Sequence, residues 1–334
     1  MKNKRRKMPD KTTKCHLLIY IFKKRYILIL YTLFISISSF AQIDSTYIQA
    51  FDQELSIRPY VYKKFTALST EIGNDETEYL PNTPIGLGFG VTYKKYSLSG
   101  GYAFGFMRDK NRGKTKSIDF QYHYYGRNFV FDFFFQDYKG FYREDNKQNE
   151  VYHIYPDIKL AQYGVFGQYV FNSKKFSYQA AFNQSEKQLR SAGSFQLGGG
   201  LYYNKVRSDS TITLPNNKIA NYQLSISGGY AYTWVIKRNF FTSLSVSLGI
   251  NLGAESISDF GKKIDVSPSV FPRFSMGYNG KDWSIGLSFV MNRIYVSHDD
   301  KTQKIALGTG NFQLSYIKRI DIAPKFLKQI KYIN

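Results

Sequence analysis

The sequence predicts an all-β fold: a transmembrane antiparallel β-barrel of about twelve strands, with fourteen as the alternative. Three observations carry that expectation. Apolar residues alternate with small or polar ones along most of the chain; short turns alternate with longer polar connections; and aromatics reach 18% while mean hydropathy is only −0.37. A strand with one face in lipid and one in a polar lumen shows only every second residue to the hydrocarbon, which reconciles many rings with modest hydropathy.

The alternation is direct. Ile85, Leu87, Phe89, Val91 and Tyr93 interleave with Gly86, Gly88, Gly90 and Thr92. Tyr96, Leu98, Tyr102, Phe104 and Phe106 interleave with Ser97, Ser99, Gly101, Ala103 and Gly105. The same pattern recurs at 118–124, 129–136, 222–234, 243–252, 283–291 and 312–316. About thirteen stretches qualify, whereas bacterial barrels of this kind close with even numbers. The ambiguity lies at Phe176–Asn183 and Phe195–Tyr203, which read either as two strands or as one long, bent one.

Short turns are expected at Lys94-Lys95, Gly126-Arg127, Asn172–Lys175, Lys237–Asn239 and Asn279–Asp282. Longer connections fall near 73–83, 108–115, 137–156, 254–266 and 297–303. Short periplasmic turns and long extracellular loops are the outer-membrane arrangement. Pairing oily residues across the turns sets Tyr93 opposite Tyr96, Tyr124 opposite Phe129, Phe171 opposite Phe176, Ile236 opposite Phe240, and Tyr278 opposite Trp283. With Trp234, these form an expected girdle of rings at the membrane interface.

The leader reads as an export signal. Residues 1–41 carry ten Lys and Arg against one acid, Asp10, a net +9 of the formal +21. Lys23-Lys24-Arg25 precedes the apolar run Tyr26–Ile37, and Ser39 and Ala41 supply the small residues of a cleavage site before Gln42. Translation is expected to start at Met1 or Met8. The domain plan is therefore a signal peptide over 1–41 and a barrel over 42–334, with a basic tail after Ile320. The only cysteine, Cys15, lies in the leader, so disulfide and thiolate chemistry is not expected of the mature chain.

Recognisable chemistry is sparse. There is no phosphate loop, no GxSxG and no HExxH, so no cofactor or metal is expected. The remaining basic residues form no compact run or known motif, so nucleic acid is not expected as a partner. His123, on the polar face with Asp119 and Gln121, is the strand histidine; the oily-pair register sets it opposite Val130, and Gln121 opposite Asp132. Asp119, Gln121, His123, Asp132 and Gln136 form the expected polar cluster of the lumen. His153 and His298 fall in expected loops. Gly198-Gly199-Gly200 reads as close packing or a bend within a strand.

Tyr79–Pro84 (YLPNTP), Lys114–Arg127 (KTKSIDFQYHYYGR), Tyr138–Tyr142 (YKGFY), Ala192–Tyr203 (AGSFQLGGGLYY) and Gly228–Phe241 (GGYAYTWVIKRNFF) together resemble a Bacteroidota family of unknown function, described as outer-membrane β-barrel proteins. The resemblance covers about 45–320. It implies location and fold, and carries no activity or catalytic residue with it.

The expected role is a channel or binding barrel for a small or amphipathic solute. The alternatives are a lipid-modifying enzyme in the membrane, and a surface structural or adhesion protein acting through 137–156; non-enzymatic action is favoured. Expected partners are outer-membrane lipids, the solute, and the barrel-assembly machinery during biogenesis. A sealed barrel resists detergent until heated, so unboiled protein should migrate differently from boiled protein on a denaturing gel. Identical migration would exclude closure.

Overall fold

A computed structural model of the protein describes residues 43–72, 75–93, 96–146, 151–209, 217–259, 264–296 and 303–321. The expected signal peptide over 1–41, the expected turn at Lys94-Lys95, His298 and the tail from 322 lie outside the described residues.

In chain order the strands are β1 (Ile48–Ala50), β2 (Leu55–Ile72), β3 (Asp75–Tyr79), β4 (Gly86–Tyr93), β5 (Tyr96–Ala103), β6 (Lys116–Tyr125), β7 (Phe129–Asn146), β8 (Val151–Val170), β9 (Glu186–Gln188), β10 (Ala192–Arg207), β11 (Lys218–Ile236), β12 (Phe240–Ala254), β13 (Asp265–Asn279), β14 (Trp283–Val296) and β15 (Gln303–Ile320). Twelve of them form one antiparallel, nearly closed barrel, ordered β5-β4-β2-β15-β14-β13-β12-β11-β10-β8-β7-β6. The first and last wall strands join by a long ladder from Leu55↔Ile320 to Ile72↔Gln303, so both ends of the wall lie at the short-turn end.

The polarity is inside out. The exposed residues are the oily ones, among them Leu98, Phe195, Leu197, Ile226, Leu248 and Leu314. The buried ones are largely polar: Ser225, Ser227, Ser243, Ser245, Ser247, Gln162, Gln168, Gln196 and Asn251. A water-soluble sandwich would reverse this, because burying apolar surface is what stabilises it. The inner wall is instead stitched by hydrogen bonds. Gln168 donates to Ser247 Oγ (2.6 Å) and Gln196 Oε1 (3.2 Å), and Ser269 donates to Asn251 Oδ1 (3.0 Å).

Phe176–Asn183 is no wall strand. After Val170 the chain turns inward and forms a single π-helical turn, Gln179–Asn183, and then β9, which pairs with β1. Here Phe171 and Phe176 part company: Phe171 is 58% exposed, while Phe176 is fully buried. Phe176 thus leaves the expected girdle; it packs on Tyr178, whose hydroxyl lies 3.0 Å from Ser245 Oγ of the wall. Residues 172–191 therefore plug the short-turn end of the lumen. The plug is tied to the wall by Arg127–Glu186, Arg58 to Asn183 O, Ser275 to Ala181 O, Gln184 to Asn279 Oδ1 (3.0 Å) and Arg319 to Gln184 O (3.0 Å).

At the other end, Leu68, Tyr79, Tyr138, Phe141, Ile158 and Leu160 form a buried apolar cluster beneath β3. Residues 137–156, expected as a loop, are largely strand: β7 and β8 continue their ladder to Asn146↔Val151, and His153 stands on β8 opposite Arg143. Alternating polar residues such as Arg143, Asp145 and His153 (Nε2 to Asp145 Oδ2, 2.7 Å) suit strands that rise beyond the hydrocarbon. A hydrogen bond from Arg143 holds the Asp145 carboxyl below its ordinary range.

Two registers differ from expectation by two residues. Gly126 N donates to Phe129 O (2.8 Å), so the turn is Arg127-Asn128 and Tyr124 faces Phe131. Gly280 N donates to Trp283 O (2.9 Å), so Tyr278 faces Ile285. Tyr93↔Tyr96 and Ile236↔Phe240 pair as expected. The three-residue turn between Ile236 and Phe240, 237–239, has positive φ at Lys237 and Arg238, +47° and +65°, the left-handed region that tight turns use.

Phe176→Ala should destabilise the protein by ~3–5 kcal/mol, as for a buried ring, and Phe171→Ala by about 1 kcal/mol or less. Urea unfolding in lipid vesicles reads the difference; equal losses would place Phe176 outside the plug core.

Candidate functional site

Between the plug and the apolar cluster lies a polar chamber built from the inward faces of β2, β6, β7 and β13. The register β6–β7 sets His123 opposite Asp132 and Asp119 opposite Gln136. Opposed side chains on one face of a strand pair stand close enough to bond directly. His123 Nδ1 lies 2.6 Å from Asp132 Oδ1. Asp119 accepts from Gln121 (3.2 Å), Gln136 (3.1 Å) and the Tyr138 hydroxyl (2.6 Å).

Two ion pairs cross the interior as chords. Arg273 on β13 reaches Asp132 on β7, five strands away around the wall, and its Nη1 also lies 3.4 Å from the Tyr125 hydroxyl. Lys64 on β2 reaches Asp119 on β6 at 2.7 Å, bridging behind β4 and β5. The structure thus divides the five expected lumen residues into two groups: His123 and Asp132 around Arg273, and Asp119, Gln121 and Gln136 around Lys64.

The expectation missed the three cations. Arg58, Lys64 and Arg273 each stand on the inward face of a strand, and Arg273 was the most legible. It stands in the same alternate row as Ser267, Ser269 and Ser275 and is the one cation of that row. Arg58 has no carboxylate partner among the described residues; its guanidinium donates to Asn183 O of the plug, and its Nε is buried without a partner there. Two small cavities adjoin His123. One, of about 100 Å³, is lined by Arg58, Tyr60 and His123. The other, of about 50 Å³, is lined by Asp132, Gln136 and Arg273. They hold a few waters or a small polar group; a drug-sized solute needs ~300 Å³ or more. No cluster of three or more metal-ligating side chains occurs among the described residues.

Three of the segments named for their resemblance, 79–84, 114–127 and 138–142, meet at the long-loop rim. Asn82 N donates to Thr115 Oγ1 (2.8 Å), and Thr115 Oγ1 donates to Gly140 O (2.7 Å). Leu80 bridges Tyr142. Gly140 has φ +89°, and a Cβ there would meet Lys114 O at 2.4 Å, so this junction requires glycine. A family model described as a domain of unknown function, DUF4421, matches residues 42–319, spanning every described strand but the last residue of β15.

The chain belongs to the DUF4421 family.

No curated protein matches this DUF4421 chain. Among solved structures it is similar to the outer-membrane protease OmpT of Escherichia coli, at 6% identity and a TM-score of 0.34, covering 81% of this chain and 98% of that one. It is similar also to the β domain of the Bordetella autotransporter BrkA, at 12% identity and a TM-score of 0.32, with 79% and 99% covered. A third is the Pseudomonas putida (P. putida) toluene transporter TodX, at 8% identity and a TM-score of 0.19, with 82% and 92% covered. None is similar enough to lend this DUF4421 protein a role.

On the outer wall at the short-turn end, rings run in contact. Phe129–Tyr169 and Tyr169–Phe171 have centroids 5.2 and 5.0 Å apart. Phe240–Tyr278, Tyr278–Trp283 and Trp283–Tyr316 are at 4.9, 5.0 and 6.2 Å. Trp234 joins Tyr232 at 4.8 Å.

Asp132→Asn leaves Arg273 buried and unpaired, so it should cost ~3–5 kcal/mol, whereas removing both charges together with Asp132→Leu and Arg273→Met should recover most of that. Urea midpoints of Asp132→Asn, of the double variant and of its two singles, Asp132→Leu and Arg273→Met, give the answer; an additive double variant would show that the chord carries no coupling.

Proposed function

We propose that the protein is an exported outer-membrane barrel that binds a small or amphipathic anionic solute in an occluded lumen and passes it only when the plug shifts. The observation that carries this reading is the pair of seals on either side of a chamber whose Arg58 lacks a carboxylate partner among the described residues. An unpaired buried cation is costly, and an incoming anion relieves that cost. The oily exterior and its contacting rings support residence in a bilayer, with outer-membrane lipids as the surroundings and the barrel-assembly machinery as the route of insertion. The leader over 1–41 supports export by a cleaved signal.

A lipid-modifying enzyme is the second reading, favoured by the 2.6 Å contact of His123 with Asp132. A hydrolase also needs a nucleophile activated by the base; among the described residues no serine hydroxyl bonds to His123, and the other Asp132 oxygen is held by Arg273. Loss of lipid hydrolysis in His123→Ala, from an active wild-type preparation, would establish it.

In planar bilayers the wild type should show no steady conductance. Glu186→Ala removes the partner of both Arg127 and Ser177 (2.6 Å); with one to two charge-assisted bonds lost, open events should rise about tenfold or more. A large, stable wild-type conductance would overturn the occluded lumen.

A further inference from the structure

Neighbouring wall strands are joined by antiparallel ladders at every position but one: among the described residues no ladder joins β5 to β6. An open strand edge in hydrocarbon is unfavourable unless polar groups stand behind it. Here they do. A cavity of about 440 Å³ lies at the long-loop half of this seam, with Gly101 and Tyr102 of β5 on one side and Lys116 and Ser117 of β6 on the other. Lys64 Nζ reaches through it to Asp119, 2.7 Å from Oδ1 and 3.4 Å from the backbone oxygen of that edge strand.

The cavity is strongly cationic. Lys64, Arg108, Lys114 and Lys116 face a single carboxylate, Asp119, which Lys64 and Tyr138 already engage. The Nε of Arg108 is buried with no hydrogen-bond partner among the described residues. Outside, the seam is flanked by some of the most exposed apolar side chains of the wall: Leu98 (70%) and Tyr102 (68%) on β5, Ile118 (65%) and Phe120 (56%) on β6. An oily slot therefore opens onto a positive hollow. Further along the same two strands, Leu98, Ser99, Phe120 and Gln121 border the smaller cavity that holds Arg58.

We propose that the β5–β6 seam is a lateral doorway for a single-chain anionic amphiphile. Its carboxylate or phosphate head is received by Arg108, Lys114 and Lys116, and its tail lies between Leu98 and Tyr102 on one side and Ile118 and Phe120 on the other. The volume is that of a small-molecule site; it takes a head group and the start of one chain, not a two-tailed lipid. From there the head passes to Arg58. This rests on the solute-binding reading above and names its substrate class and route.

The test uses the full chain, with Cys15→Ser, purified in a non-ionic detergent, and cis-parinarate, a fluorescent long-chain carboxylate. The wild type should bind it; Arg108→Gln with Lys114→Gln should weaken binding about tenfold or more, while Arg108→Lys with native Lys114 should retain most of it. Each variant is first shown to keep its heat-modifiable mobility. Tyr102→Cys with Ser117→Cys, bridged by a bifunctional thiol reagent, should slow uptake about tenfold relative to the unbridged pair. Unchanged binding in the double glutamine variant would overturn the cationic head site, and unchanged uptake after bridging would overturn the doorway. Displacement of the probe by equimolar inorganic phosphate would overturn the amphiphile in favour of a free anion, and equal displacement by phosphatidylglycerol would overturn the single chain. If the probe does not bind at all, the doorway falls, while a silent wild type in planar bilayers would leave the occluded barrel standing.

Discussion

A wall bathed in hydrocarbon must satisfy its own backbone, because no water is there to do so. Most of this structure follows from that constraint. It demands ladders between neighbouring strands, and those ladders fix two faces per strand. One face meets oil, so Leu, Ile, Phe and Tyr are exposed. The other meets the interior, where Ser, Gln and Asn bond to one another and hold the cylinder together by polar contacts rather than by an oily core. Glycine and serine on that face also leave room, which the plug occupies at one end and Tyr79, Tyr138 and Phe141 at the other.

The two chords do something the wall alone cannot. Arg273–Asp132 and Lys64–Asp119 tie strands far apart around the circumference, so they fix the shape of the cross-section. Each is strongest where water is excluded, and each also costs desolvation. His123, Tyr125 and Tyr138 ease that cost by hydrogen bonding to the charged partners. The chamber is thus a structural brace first, and the brace leaves cations over at Arg58 and around Arg108.

Much of the architecture was legible in the residues. The alternation at 85–93, 222–234 and 243–252 gave both strand and face, and twelve wall strands are present. The two mistaken registers show the limit of that signal. A slip of two residues keeps every side chain on its face, so periodicity is blind to it, whereas a slip of one would have been visible. Only the turn hydrogen bonds at Gly126 and Gly280 decide it. That slip hid the His123–Asp132 contact. Phe176–Asn183 misled for another reason: its rings face the underside of the wall, so an apolar run signals burial without saying against what. The inward cations went unseen because their pairing depends on strands distant in sequence; Arg273 and Asp132 are 141 residues apart.

The least secured joint in the cylinder lies between β5 and β6, which are consecutive in sequence, whereas the first and last strands of the wall, β2 and β15, are zipped from end to end. Topologically the molecule is therefore a sheet whose natural margins fall in the middle of the polypeptide. A circular permutant that linked the short-turn ends near Leu55 and Ile320 and began within 104–115 would sever no ladder of the wall. Its first strand would be β6 and its last β5, so the order of synthesis would coincide with the order of the sheet.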